Sequence, residues 1–265
     1  MNPSAPIEFR IDGPAATIAL NRVHRHNALD LDCVTELLQL LSDCHGEKRV
    51  RAVILTGKGD TFCSGTDLHH LQASFEKTQT TDMFQSWQLQ SQQYLQLIET
   101  MLRYPKPIIV AANGPVIGIG LALMLAADYA IGSQTAYLQS PEARLGLSAS
   151  LTAPLLNFRT STSVANRLLL TSDKLDAEAA QKVGLFHENV LPDLVWARAF
   201  EVAQQCALGA RETHQMTKQM LNETIGETLI TQLTVGAANL AAARITDAAK
   251  EGVAAFLEKR EPNWG

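Results

Sequence analysis

Apolar residues along this chain fall into runs of two different periods, and the runs alternate. IEFRI and ATIALN flank Asp12-Gly13 and read as two strands, because that dipeptide favours a tight hairpin turn. Asp30 then predicts a helix N-cap: Leu31, Val34, Leu37, Leu38, Leu41 and Cys44 recur at the spacing of one helical face. AVILTG at 52–57 is a continuous apolar run of strand length, which predicts a buried strand. The segment 82–102 returns to the helical period before the strand IIVAA. Met83, Phe84, Trp87, Tyr94, Leu95, Ile98, Met101 and Leu102 share one side of it, and its glutamines lie on the other. DYAIG and AYLQS predict two short strands; from 151 to 260 the pattern is almost wholly helical, so strands are expected to end near 140.

Strand and helix in alternation, followed by helices alone, predict an α/β fold with a helical C-terminal extension. No Gly-, Pro- or Ser-rich linker separates the two, and the division is expected as a core over 1–200 and a helical region over 201–265. In the last helix, TDAAKEGVAAFLEKR, the residues Ala249, Val253, Phe256 and Leu257 share a side that serves either a core or an oligomer contact.

Composition narrows the function classes. With 265 residues, 46% hydrophobic and 18% charged, the chain carries enough apolar surface for a large core and is not expected to be disordered. A net charge of −5, without a cluster of Lys and Arg interleaved with aromatics, argues against nucleic acid as a partner. The longest apolar stretch, 107–127, is broken by Asn113, Gly114 and Pro115 and falls short of the about 18 residues a membrane span requires, so no membrane partner is expected. The opening MNPSAPIEFRIDG shows no export or transit pattern. Cys33, Cys44, Cys63 and Cys206 form neither a CxxC pair nor a metal-binding spacing, which fits mostly buried thiols in a cytoplasmic protein.

The candidate chemistry lies in two glycine turns. NGPVIGIGLALMLAAD at 113–128 runs from an apolar strand through Gly118 and Gly120 into an apolar run of helical length. It is not a phosphate loop of the GxxxxGK type, because Leu121 follows the last glycine, and it fails GxGxxG because the third glycine falls on Leu123. What remains is a set of backbone N–H groups at a helix start, which attract negative charge. GDTFCSGTDL at 59–68, directly after AVILTG, is a second such turn. In a sheet of parallel strands both lie on one strand-end rim, where ligands bind. Two turns aiming N–H groups at one point form an oxyanion hole, worth about 3 kcal/mol per donor on a developing negative charge.

Other readings of these residues are weaker. Ser64 lacks the GxSxG elbow of a hydrolase, since Phe62 stands at the first glycine position. His69 and His70 are adjacent and face different ways on a helix, while His24 and His26 lack further ligands, so no metal site is expected. Asp67 stands just ahead of LHHLQASFE and reads as a helix N-cap.

Five segments carry a resemblance: NRVHRHNAL (21–29), AVILTGKGDTFCSGTDL (52–68), KPIIVAANGPVIGIGLALMLAADYAIGS (106–133), SPEARLGL (140–147) and EGVAAFLEKR (251–260). In this order and spacing the chain resembles the crotonase, or enoyl-CoA hydratase/isomerase, superfamily over nearly its whole length. The resemblance implies a crotonase-like spiral of repeated β-β-α units with a helical C-terminal part that assembles a homotrimer or hexamer. It implies an acyl-CoA thioester as substrate and no separate cofactor, because coenzyme A is part of that substrate. By position the oxyanion donors would be the N–H groups of Thr66 and Ile119, framed by Ser64, Gly65 and Gly118. The family commonly has alanine and glycine where Thr66 and Ile119 stand; here a hydroxyl is added and the pocket wall narrows. Arg25, His26, Ala28, Asp67 and Leu68 would line the nucleotide end of the substrate. Phe256 and Lys259 would come from the last helix, although Lys259 also reads as a solvated helix-end cation.

The family's hydratases use two glutamates. The first position is Ala122 in this sequence; the second is kept as Glu142 in Ser140-Pro141-Glu142, and the position where related isomerases place an acid is Ser150. Without the resemblance, Glu142 reads as a solvated residue in the first turn after Pro141. Hydration needs one water held between two carboxylates, whereas moving a double bond from C3 to C2 needs one base and an oxyanion hole. The resemblance therefore implies a 3-enoyl-CoA isomerase acting through Glu142. The alternatives are a divergent hydratase or decarboxylase of the same fold, or a non-catalytic acyl-CoA binding protein. LGLSASLTAPL at 145–155 departs from the glycine-rich turn usual in the family, and the departure falls on the floor of the acyl pocket.

Overall fold

The computed structural model describes residues 5–76 and 80–265. Strands β1 (Ile7–Asp12) and β2 (Ala15–Leu20) form the opening antiparallel pair, with Asp12 opposite Ala15 and Gly13 turning the chain at φ +54°. Helix α1 (Leu31–Gly46) starts where Asp30 accepts the Cys33 N–H at 2.9 Å, and it buries Cys33, Val34, Leu37, Leu41 and Cys44. Strand β3 (Ala52–Gly57) returns parallel to β2. After helices α2 (Leu68–Glu76) and α3 (Thr80–Arg103), strand β4 (Ile108–Ala112) pairs parallel to β3. The short β5 (Val116–Ile117) leads into α4 (Ile119–Ala126), and β6 (Tyr129–Ser133) and β7 (Tyr137–Gln139) follow.

On α3 the apolar stripe is buried from Trp87 through Tyr94, Ile98, Met101 and Leu102. Phe84 departs from the expected pattern: one turn ahead of Trp87, it lies outside the small cluster of Leu71, Trp87 and Val253 and is 39% exposed. The Met83 side chain lies outside the described residues.

The chain then continues through α5 (Thr152–Arg159), α6 (Thr162–Thr171), β8 (Leu175–Asp176), α7 (Ala177–Lys182) and β9 (Glu188–Val190). Strands thus do not end near 140, as the periodicity predicts. With two and three residues, β8 and β9 are too short to show a period of two, and each is an edge strand recruited by tertiary pairing. The larger sheet runs in the order β1-β2-β3-β4-β6-β9, parallel except for its first pair, and the smaller runs β5-β7-β8.

Helices α8 (Val195–Ala207), α9 (Arg211–Gln219), α10 (Glu227–Ala243) and α11 (Asp247–Glu258) complete the fold. Both faces of the large sheet are covered, which is why its central strands are apolar throughout. Val53 and Leu55 of β3 face the main core with α1 and α3, whereas Ala52 and Ile54 face a second core closed by Val195, Ala199 and Val202 of α8. Helix α10 packs across α3, and α11 lies on α2 and the turn that follows Glu142.

That last approach requires Gly252, where an added Cβ would sit 2.3 Å from the Leu145 carbonyl carbon. Of the apolar side expected on α11, Ala249 and Val253 are wholly buried within their own chain and so are core; Phe256 remains 59% exposed. Among the described residues no helix is long and apolar enough to cross a membrane.

Candidate active site

The turn after β3 is clamped against residues 26–29. Ser64 N–H donates to the His26 carbonyl at 3.0 Å, Leu29 N–H to the Gly65 carbonyl at 2.7 Å, and Asp67 N–H to the Leu29 carbonyl at 3.0 Å. Backbone groups alternate in direction along such a ladder, so the Thr66 N–H between them points the other way. It has no acceptor among the described residues. Gly65 takes φ +96°, and a Cβ there would lie 3.1 Å from the Ile117 carbonyl oxygen and 3.4 Å from the Ile119 nitrogen. The two glycine turns predicted to share a rim are therefore in contact.

The second turn is held by Ile117 N–H donating to the Cys63 carbonyl at 2.9 Å and Gly118 N–H to the Gln139 carbonyl at 3.0 Å. Gly118, at φ +58°, reverses the chain into α4, and Ile119 opens the helix, so its N–H is one of the donors a helix start leaves unpaired. A Cβ at Gly120 would lie 2.7 Å from the Cys63 carbonyl oxygen. The GIG sequence thus serves two needs: Gly118 makes the bend and Gly120 lets the helix seat on the neighbouring turn.

Glu142 faces this pair of turns. It starts a single 3-10 turn (Glu142–Leu145), and its Oε1 is 3.2 Å from where a Cβ on Gly118 would stand. Its Oε2 accepts the Ser140 hydroxyl at 2.5 Å. Burial pushes the Glu142 carboxyl above the ordinary glutamate range, and the Ser140 hydrogen bond works against that shift. A carboxyl so raised, beside unpaired N–H groups, is suited to accept and return a proton.

Thr66, Ile119 and Glu142 line one cleft of about 440 Å³, together with the predicted Ser64, Gly65, Leu68, Gly118 and Phe256. Among the described residues lining it, Glu142 is the only carboxylate. Ala122, the other acid position, is wholly buried in α4. The Ser150 hydroxyl is hydrogen-bonded to that of Ser148, outside the cleft lining.

The remaining predicted residues do not line the cleft. Arg25 contributes its carbonyl to the Ser64 hydroxyl at 3.3 Å, His26 is exposed at φ +49°, and the Ala28 carbonyl accepts from Arg22 Nη1 at 2.5 Å. Asp67 is 5% exposed and caps α2, accepting from His69 and His70 N–H at 3.1 and 3.3 Å and from Arg22 Nη2 at 2.9 Å. Burial pushes the Asp67 carboxyl up, but the Arg22 hydrogen bond, the capped N–H groups and nearby arginine charge outweigh it and hold the carboxyl below its usual range. Lys259 is exposed at the end of α11 with φ +56°; the cations that line the cleft are Arg144 and, next to Lys259 in sequence, Arg260, which is tied to Glu251 at 2.5 Å and Glu258 at 2.7 Å.

Several supporting residues escape a reading of the sequence. Arg22 bridges Asp30 and Asp67, each at 2.9 Å. Asn27, 1% exposed and at φ +56°, donates to the Lys58 and Thr61 carbonyls and so ties the clamp to the far side of the turn. Both lie in NRVHRHNAL, where an arginine and an asparagine among loop residues were the available signal. The Tyr94 hydroxyl donates to the Leu29 carbonyl at 3.2 Å from α3, a contact across 65 residues for which the sequence holds no local signal.

Residues 11–265 match the family model described as enoyl-CoA hydratase/isomerase. The chain belongs to the enoyl-CoA hydratase/isomerase family. A Thermus thermophilus protein provisionally named an enoyl-CoA hydratase is 32% identical over 252 residues, covering 95% of this chain and 98% of that one. An Alternaria alternata enoyl-CoA hydratase is 30% identical over 263 residues, covering 97% and 86%. Among solved structures, an enoyl-CoA hydratase/isomerase from Pseudoalteromonas atlantica superposes with a TM-score of 0.84 at 28% identity, covering 98% of this chain and all of that one. The crotonase fold of this enoyl-CoA hydratase/isomerase family member therefore rests on both sequence and shape.

Proposed function

We propose that this enoyl-CoA hydratase/isomerase family member shifts the double bond of a 3-enoyl-CoA thioester to C2. The observation that carries the reading is the single carboxylate of the cleft, Glu142, standing against the Gly118 turn. The thioester oxygen would sit between the N–H groups of Thr66 and Ile119. Glu142 takes the proton from C2, the two N–H groups stabilise the dienolate oxygen, and the same carboxyl returns the proton at C4, which moves the double bond into conjugation. Atoms and charge balance without any further reactant.

Hydration is the second reading, favoured by the names of the relatives. It requires water held on a second acid, and the buried methyl of Ala122 supplies none. The deciding assay supplies each enoyl ester separately. The expected outcome is conjugated 2-enoyl-CoA from 3-enoyl-CoA, and little 3-hydroxyacyl-CoA from 2-enoyl-CoA. Efficient hydration would replace the isomerase reading with the hydratase one.

A further inference from the structure

Behind the cleft lies a small inner cavity of about 30 Å³, room for about two water molecules. Thr66, Ile119, Glu142 and Leu147 line both spaces and so form the junction between them. Beyond that junction the inner cavity is lined by Ser148, Thr152, Leu240 and Arg244, among others. Arg244 is the anomaly. It follows the last residue of α10 and is 1% exposed, yet among the described residues its side chain makes a single hydrogen bond, to the Gln90 amide oxygen on α3. Its Nε is buried without an acceptor. Among the described residues no carboxylate lies within ion-pair distance of it, and burial alone works against its charge.

A guanidinium withdrawn from water without a counter-charge is costly, and its planar donor edge matches a carboxylate. We propose that Arg244 receives the anionic end of the acyl chain, so that the substrates of this site are short acyl-CoA esters ending in a carboxylate. This inference rests on reading the cleft as an acyl-CoA site and names the class of acyl group it takes. The geometry is consistent at each step. A thioester held at Thr66 and Ile119 would direct its acyl chain past Glu142, and the residues at that junction also line the inner cavity that Arg244 lines. The carboxylate then occupies a space about the size of its two oxygens, with the Ser148 and Thr152 side chains as further polar lining. Glu142 is turned toward Gly118 and Ser140, which leaves the guanidinium for the substrate.

The test is a binding comparison on the intact chain, using saturated esters that cannot react. Calorimetry with glutaryl-CoA and valeryl-CoA compares a terminal carboxylate with a methyl group on the same length of chain. Wild-type protein should bind glutaryl-CoA about tenfold or more tightly than valeryl-CoA, the range of a charge-assisted hydrogen bond. Arg244→Met should erase that preference, and Arg244→Lys should keep part of it. Equal affinities in the wild type, or tighter binding of valeryl-CoA, would overturn the proposal without need of any variant, as would a preference that survives in Arg244→Met. Failure to bind either ester would instead remove the acyl-CoA reading on which the proposal stands.

Discussion

The two ends of the cleft are built in different ways. At the outer end the proposed donors are backbone N–H groups, and the residues that aim them lie within a few positions of one another: Ser64, Gly65 and Thr66 in one turn, Gly118, Ile119 and Gly120 in the other. At the inner end the polar lining is made of side chains from distant parts of the chain, with Arg244 and Gln90 meeting across 154 residues. The outer end needs glycine wherever another residue would collide, so its chemistry is written as short motifs. The inner end is set by which side chains happen to face one cavity, and those can change while the turns stay fixed. One fold can in this way hold a thioester oxygen at a constant place and vary the acyl group it accepts.

The sharpest way to break the comparison is at Glu142, where the two ends meet. Glu142→Gln keeps shape and volume but cannot take a proton, so turnover of 3-enoyl-CoA should fall by about 10²–10⁴-fold, the usual contribution of a positioned general base. Calorimetric affinity for a saturated acyl-CoA should change little, because in the proposed complex the thioester oxygen rests on backbone N–H groups and not on Glu142. In the wild type the rate should rise with pH as the carboxyl ionises, with a midpoint above the ordinary glutamate range, since burial raises it. That limb should be missing from the variant. Undiminished turnover would show that the chemistry of the junction belongs to another group.

How much of this was legible follows the same division. The hairpin, α1 with its Asp30 cap, β3, β4 and the glycine turns were readable because each is specified by neighbours in sequence. The edge strands β8 and β9 were not, because pairing partners rather than their own two or three residues define them. At the site, the resemblance pointed by motif position to Thr66, Ile119 and Glu142, which do line one cleft. The segment 145–155 was visible as a departure from the family pattern, yet the sequence around it gives no hint that Arg244, almost a hundred residues on, would face it. Arg260 rather than Lys259 lining the cleft likewise follows from the left-handed turn at Lys259, which ends α11 and redirects the chain before Arg260.

A smaller effect is expected where a side chain supports the outer turn. Arg22→Met removes the partner of Asp67, which is only 5% exposed, and leaves the Ala28 carbonyl without its donor. The loss of stability should be about 3 kcal/mol, the lower part of the range for breaking a buried pair, because Arg22 keeps some contact with water. Urea denaturation measures it. The pH dependence supplies a second check. The Asp67 carboxyl is held below its usual range when folded, so its contribution is present above the ordinary aspartate value and is lost as pH falls through the folded one. The difference between wild type and variant should therefore hold from neutral pH down to about pH 4, the ordinary aspartate value, and shrink below it. A difference that grows on acidification would mean the Arg22–Asp67 pair is not what holds the turn.

The smallest expected effect asks whether the two ends are coupled. Tyr94 lies one helical turn beyond Gln90 on α3, next to the guanidinium of Arg244, while its hydroxyl reaches the Leu29 carbonyl that clamps the Thr66 turn. Burial pushes the phenol up to about 12, so it stays a neutral donor throughout the working range of pH. Tyr94→Phe removes one hydrogen bond, but the Leu29 carbonyl still accepts the Asp67 N–H, so the cost should be only about 1 kcal/mol in thermal or urea unfolding. If the strut does no more than add stability, affinity for valeryl-CoA and for glutaryl-CoA should move together or not at all. A loss confined to glutaryl-CoA would place Tyr94 with the inner end, as a group that positions Arg244. A loss of turnover without change in either affinity would place it with the outer end, as a group that positions the Thr66 donor.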